Sequence, residues 1–315
     1  MRFAAVLSFV LSALVAPPLA AQAWPVKPVR LVVATGPGLS VDIMARILAD
    51  DLTKRWGQQV IVENRAGLPG TVAVAKAPPD GYTLMLTSNG HTVSGLVNKN
   101  LSFDPIKDFS GITRVSSAPL YLITNPEVPA RNLKDLIALA KSKPGTLNFS
   151  SPGLASTTFI AGALFRKAAG LDLVHVPFKS APDAVTAVVR GDAQMYFAPV
   201  NLSKEMAEAG KVIAIASATA KRLEEMPSVP TFTEAGLPYV YDSWFGLMTQ
   251  SGVPRPIINK INKDVTDSLK SADVAAKLKA QFVIPVMDTP EAFDKIIRDE
   301  TANLAVVFKE AGVGN

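Results

Sequence analysis

Two turns in this chain hold the residues best suited to gripping an anion. The first, Thr35-Gly36-Pro37-Gly38-Leu39-Ser40-Val41, follows the apolar run Val29–Val33 and leads into Val41, Met44, Ala45, Leu48 and Leu52 at helical spacing. Glycine lets the backbone approach a ligand closely. A helix start offers free N–H groups and the positive end of a dipole. Ser40 reads as the N-cap, with Asp42 in the first turn. The second turn lies in Phe149–Phe165 and repeats this layout: a strand end, Pro152-Gly153, then hydroxyls and a helix. Ser150, Ser151, Ser156, Thr157 and Thr158 are five hydroxyls within nine residues, and Ser156 or Thr157 caps a helix that begins near Thr158. Taken singly, each turn could be an ordinary capped βα connection. Two of them in one α/β chain point to a clamp, because ligands of open α/β sheets sit at strand ends beside helix starts.

Other chemistry finds little support. A phosphate loop needs Lys-Ser/Thr after its second glycine, and a dinucleotide loop needs a third glycine where Val41 stands. Gly38-Leu39-Ser40-Val41-Asp42 lacks the last glycine of a nucleophile elbow. Of the two histidines, His175 in "LDLVHVPF" reads as a hydrogen-bonded strand residue. His91 in "TSNGHTVSG" follows a strand end and could face a cleft as a base. Neither has a second ligand at zinc-motif spacing, and the chain has no cysteine, so no metal, cofactor or disulfide is expected. Arg190-Gly191-Asp192 is read as a helix end with its C′ glycine.

The elements that must position the two turns alternate. Strand-like runs include Val60–Val62, Tyr82–Thr87, Leu120–Thr124, Leu147–Ser150, Ala193–Ala198 and Phe245–Thr249, and helix-like runs include Leu133–Lys141, Ala181–Arg190, Pro256–Ser271 and Pro290–Glu310. Such alternation argues for largely parallel sheets flanked by helices. With 315 residues the length suits two domains. The formal net charge of +5 is scattered rather than clustered, so no nucleic-acid partner is expected. Met1-Arg2, the apolar run Phe3–Ala16, Pro17-Pro18 and Ala21-Gln22-Ala23 read as a secretory signal cleaved after Ala23, too short to span a membrane.

Several motifs in order along the chain, among them "WPVKPVRLVV", Ser40-x-Asp42, "VIVENRAG", "APPDGYTL", "LSFDPIKDF", "VHVPFK", "MPSVPTFTEAGLP" and "SWFGL", have no generic structural meaning. With them the chain resembles the periplasmic solute-binding receptors of the tripartite tricarboxylate transporter type, the Bug receptors. The resemblance implies a type II-like, two-lobed periplasmic binding protein with two hinge-crossing strands. Lobe 1 would be 24–124 plus 244–315 and lobe 2 would be 125–243. It implies a non-enzymatic monomer that closes on a small organic carboxylate, held by N–H groups, hydroxyls and water rather than arginine. Its partners would be membrane transporter subunits, or a sensor kinase in a sensory variant. A secreted α/β hydrolase or lyase using His91 is the rival reading.

By resemblance Thr35, Gly36, Gly38, Leu39 and Ser40 form one jaw, and Ser151, Gly153, Leu154, Ser156, Thr157 and Thr158 the other. Asn64, Ser88, Asn89 and His91 match strand-end loops of the first lobe, Ala198 and Asn201 a loop of the second, and Trp244 the hinge. The chain departs from the family at Leu39, where a second glycine is common, at Leu154-Ala155, and at Ala198, where relatives often carry aspartate. A buried ammonium needs a carboxylate partner, and the jaws offer few. Leu39, Leu154, Phe197 and Trp244 are expected to make the walls apolar, unless they point into the lobe cores. The expected ligand lacks an amino group and is aromatic or a medium-chain dicarboxylate.

Overall fold

The computed structural model describes residues 24–310 and 312–313. The expected signal segment and its cleavage after Ala23 lie outside the described residues. From Trp24 the chain builds β1 (Val29–Val33), α1 (Ser40–Trp56), β2 (Val60–Asn64), α2 (Leu68–Ala75), β3 (Thr83–Ser88), α3 (Gly90–Val97) and β4 (Phe109–Ser117). It then builds β5 (Leu120–Thr124), α4 (Leu133–Ser142), β6 (Asn148–Ser151), α5 (Thr157–Ala169), β7 (Val174–Pro177), α6 (Ala181–Arg190), β8 (Met195–Pro199), α7 (Val200–Glu208) and β9 (Ile213–Ser217). Then come β10 (Trp244–Gln250), α8 (Arg255–Leu269), α9 (Ala272–Lys279), β11 (Ile284–Pro285) and α10 (Pro290–Glu310). Among the described residues no helix is long and apolar enough to cross a membrane.

Two mixed sheets result. The first has the order β11-β4-β10-β3-β1-β2 and the second β7-β6-β8-β5-β9. Their logic is the same. Pairs from the first βαβ units, β1 with β2 and β3, and β6 with β7 and β8, are parallel. A strand arriving from the other lobe then lies antiparallel next to the third: β10 on β3, and β5 on β8. Helices cover the faces. Val41, Met44, Ala45, Leu48 and Leu52 of α1 are buried on the first sheet, and burial of such a side chain contributes about 1.5–3 kcal/mol. Phe159, Ile160, Ala163 and Phe165 of α5 are buried on the second.

Two expected lobe boundaries require correction. Leu120–Thr124 pairs with β8 and β9 and so belongs to the second lobe, not the first. The crossing falls at Ala118-Pro119, because proline has no N–H to extend the ladder of β4. There Ala118 N donates to Ser243 O of the returning strand at 2.5 Å. Likewise 244–315 is not wholly first-lobe. Phe293 and Ile297 of α10 pack on the first sheet with Trp244 and Met248. Leu304, Val307 and Phe308 enter the second-lobe core, where Phe308 meets Phe159 edge-on at 5.3 Å. One helix thus spans both lobes.

Candidate functional site

The first jaw leaves β1 at Val33 and turns at Gly38, whose φ of +82° suits glycine. Ser40 is the first helical residue rather than the cap, and Leu39, extended, holds the cap position without a side-chain bond. The cap comes from within the helix: Gly38 N donates to the Asp42 carboxylate at 2.8 Å. Asp42 is only 2% exposed. It also accepts from Arg46 Nε at 3.1 Å and Asn64 Nδ2 at 2.9 Å. Burial works against its charge, but Arg46, Gly38 N–H and Asn64 together hold its pKa below the usual carboxylate value. Asn64 therefore braces the jaw from behind. It donates to Thr35 O at 3.3 Å and accepts from Arg46 at 3.0 Å. In front, Pro37, Gly38, Leu39 and Ser40 are exposed. The Thr35 hydroxyl is enclosed without a protein hydrogen-bond partner.

The second jaw is capped as expected, by Ser156. Its hydroxyl accepts from Phe159 N at 3.1 Å and donates to Gly153 O at 2.7 Å. Ser151, expected at the ligand, is fully buried and hydrogen-bonded to His175 Nε2 at 2.7 Å. This reports the position of His175 too: it lies behind the jaw against Phe149 and Phe159, and burial lowers its pKa to about 4. Thr158 is buried, and Leu154 packs against the second-lobe core. The Ala155 carbonyl faces α3 of the first lobe so closely that a Cβ on Gly90 would lie 2.2 Å from its oxygen.

The jaws meet in one cleft of about 60 Å³, lined by Ser40 from the first and Thr157 from the second, with Asn201 beside them. The crossing strands form its back through Ala118, Pro119, Ser243 and Phe245. The other expected jaw residues, Thr35, Gly36, Gly38, Leu39, Gly153, Leu154, Ser156 and Thr158, stand in or next to the two loops without lining this cleft. Val200 belongs to the loop Ala198–Asn201 that the resemblance placed at the cleft, whereas sequence reading missed Pro119 and the segment Gln281–Val283, which line it too. A proline directly before the strand-like run Leu120–Thr124 marked the first; nothing in the local pattern marked the second.

Four more expected site residues are placed elsewhere. His91 is 4% exposed, with Nε2 2.7 Å from Pro105 O and its ring edge-on to Phe109. Desolvation lowers its pKa to about 4, so it is a neutral core histidine and not a base facing the cleft. Ala198 is buried among Tyr121, Val185 and Tyr196. Phe197, expected in a cleft wall, stacks on Phe232 inside the second lobe. Trp244 points into the hinge core, edge-on to Phe293, while its strand neighbour Phe245 takes the cleft face.

Asn89 is fully buried at that hinge: its side-chain oxygen accepts from Trp244 N at 2.6 Å and its amide donates to Glu300 at 2.7 Å. Trp244 Nε1 donates to the same carboxyl at 2.8 Å. Burial pushes the Glu300 pKa up to about 7. Arg114 of β4 pairs with Asp242 on the returning strand and with Asp288 at 2.7 Å, tying the crossings together. Ser88 is half-buried beside these groups, with Oγ 3.4 Å from Gly90 N. Among the described residues no cluster of three or more His, Asp or Glu side chains is placed to hold a metal ion.

Two mixed sheets with crossing strands and a cleft between helix starts define the periplasmic binding protein fold. Residues 44–313 match the family model described as "Tripartite tricarboxylate transporter family receptor", and the chain belongs to that family. It is 33% identical over 310 residues to Protein BugT of Bordetella pertussis, covering 96% of this chain and 95% of that one. Among solved structures, Rpa4515 of R. palustris with adipate is 30% identical, with a TM-score of 0.79 over 92% of this chain and 99% of that one. MatC of Rhodopseudomonas palustris with bound malate is 28% identical, with a TM-score of 0.76 over 90% and 99%.

Proposed function

We propose that this receptor works in the periplasm as a monomer freed of residues 1–23, captures a small organic carboxylate between its jaws and delivers it to a tripartite tricarboxylate-type transporter. The observation that carries the reading is the meeting of Ser40 and Thr157. Each is the first residue of a helix, each comes from a different lobe, and both line a cleft with no charged side chain in its wall. Backbone N–H groups at two helix starts and two hydroxyls then supply the positive field for the carboxylate. Without an acidic group in the wall an ammonium would be buried unpaired, which disfavours amino acids. With Phe197 and Trp244 turned into cores, the apolar part of the wall falls to Val200, Phe245, Phe282 and Val283. The adipate and malate bound by the two relatives support the carboxylate class, and the wall favours an aromatic acid or a medium-chain dicarboxylate.

A thermal-shift panel tests this, because a ligand at about 100 times its Kd adds roughly 2.7 kcal/mol of apparent stability. Adipate, longer diacids and aromatic acids should give the largest shifts. The largest shift from glutamate or citrate, with none from those acids, would refute the ligand class. N-terminal sequencing of exported protein should begin at Trp24.

A further inference from the structure

Among the described residues Phe282 is the one non-glycine residue with positive φ, at +57°. It follows the end of α9, where Phe282 N donates to Lys279 O at 2.9 Å and Val283 N to Leu278 O at 3.4 Å. That left-handed position past a helix end usually holds glycine, since a Cβ crowds the neighbouring carbonyl. Here it holds a large ring. The ring belongs to the first lobe's connection between α9 and β11, yet it packs against the second-lobe cluster that contains Tyr121, Leu223 and Val229. It also lines two spaces at once: the cleft of about 60 Å³ shared by Ser40 and Thr157, and a neighbouring cavity of about 430 Å³. Pro119, Val200 and Val283 line both as well, so the two spaces adjoin along this side with these residues as their common wall.

The size contrast matters. The jaw cleft, the smaller of the two and lined by Ser40, Thr157 and Asn201, suits a carboxylate head. The larger cavity is walled by Leu223, Ile284 and Pro285, its two cations are already paired, Arg222 with Glu234 and Lys279 with Glu224, and Glu224 and Glu225 place carboxylates in its lining. Its wall therefore suits an apolar tail rather than a second hydroxyl-rich head. We propose that Phe282 is the specificity-determining partition between the two spaces. A carboxylate held in the jaws extends its alkyl or aryl tail past this ring, and the ring sets which tails pass. The inference rests on the reading of the jaws as the carboxylate site.

Isothermal titration calorimetry with succinate, adipate, sebacate and 4-phenylbutyrate on wild type, Phe282→Ala and Phe282→Gly tests it. The glycine variant relieves the left-handed backbone and keeps the test open where alanine fails to fold. Removal of the ring should strengthen sebacate and 4-phenylbutyrate at least tenfold relative to succinate, with succinate itself changing less than threefold. If the variants shift every acid alike, or shift none, while wild type binds, the partition is refuted and the carboxylate site stands. Binding of the long acids to the variants but of no acid to wild type would support the partition and refute the ligand class proposed for the native receptor. No binding to any of the three proteins would refute both.

Discussion

The two jaws resemble each other in sequence and are held by different means. Behind the first stands a charged brace, in which one buried carboxylate caps Gly38 and gathers Arg46 and Asn64. Behind the second stands a neutral one, made of the Ser156 hydroxyl on the loop backbone and of Ser151 against His175. The first jaw carries an exposed tip from Pro37 to Ser40. The second is pressed against the other lobe, with the Ala155 carbonyl at Gly90. A glycine-rich turn before a helix is thus a common outline for two solutions. In one, side-chain charge shapes a loop that projects into solvent. In the other, packing shapes a loop lodged at the seam.

The largest effect expected from this contrast is on stability. Asp42→Ala removes the buried carboxylate that accepts from Gly38 N, Arg46 and Asn64; hydrogen bonds to a charged group contribute about 1.5–3 kcal/mol, and urea unfolding should register a loss of roughly 3 kcal/mol. Ser156→Ala, the counterpart in the second jaw, removes one cap worth about 1 kcal/mol. Equal losses would abolish the distinction between the braces. Next in size are the hydroxyls that face the cleft. Ser40→Ala and Thr157→Ala each remove a donor to a charged group, worth about 1.5–3 kcal/mol, or tenfold to a hundredfold in affinity, with little change in unfolding. Calorimetry that finds both variants binding like wild type would show that neither jaw touches the ligand through these side chains.

The smallest effect is on pH dependence. The folded pKa of His175 is lowered from 6.5 to about 4, so its contribution is complete above pH 6.5 and is lost as the pH falls towards 4. Asp42 is lowered from 3.8, so its contribution persists above that value and is lost only in stronger acid. Acid should therefore weaken the brace of the second jaw first. His91 titrates in the same window, so the measurement is a difference: the fall in Tm from pH 7 to pH 5 should be shallower in His175→Gln than in wild type. Identical slopes would mean that His175 does not couple proton uptake to stability.

The parts of the site that sequence displayed are those governed by local rules. Ser156 caps its helix because a hydroxyl reaches the N–H three residues on. His175 sits between valines on a strand and is a bonded structural residue. Where a residue had two plausible directions, local rules were silent. Trp244 and Phe245 are adjacent on β10 and must face opposite ways, but only the packing of Phe293 decides which faces inward. His91 lies on α3, whose sequence "GHTVSGLV" has two glycines and no charged face to mark it as a helix, so it read as a loop. Pro290–Glu310 read as one helix, along which Phe293, Ile297, Leu304 and Phe308 recur at helical spacing. That spacing could not show that the first pair and the second pair belong to different cores.

The place of β10 bears on how the chain comes to be assembled. In the first sheet it lies between β3 and β4, both of which precede it by more than a hundred residues. During synthesis β3 and β4 must wait, each with an unpaired edge, while the whole of the second sheet is made. The strands of that sheet come from one uninterrupted stretch, Leu120 to Ser217. The first sheet closes only when Trp244–Gln250 emerges and slots between its neighbours. A nascent chain stopped before that point presents two apolar strand edges, the feature that recruits holding factors or seeds aggregation.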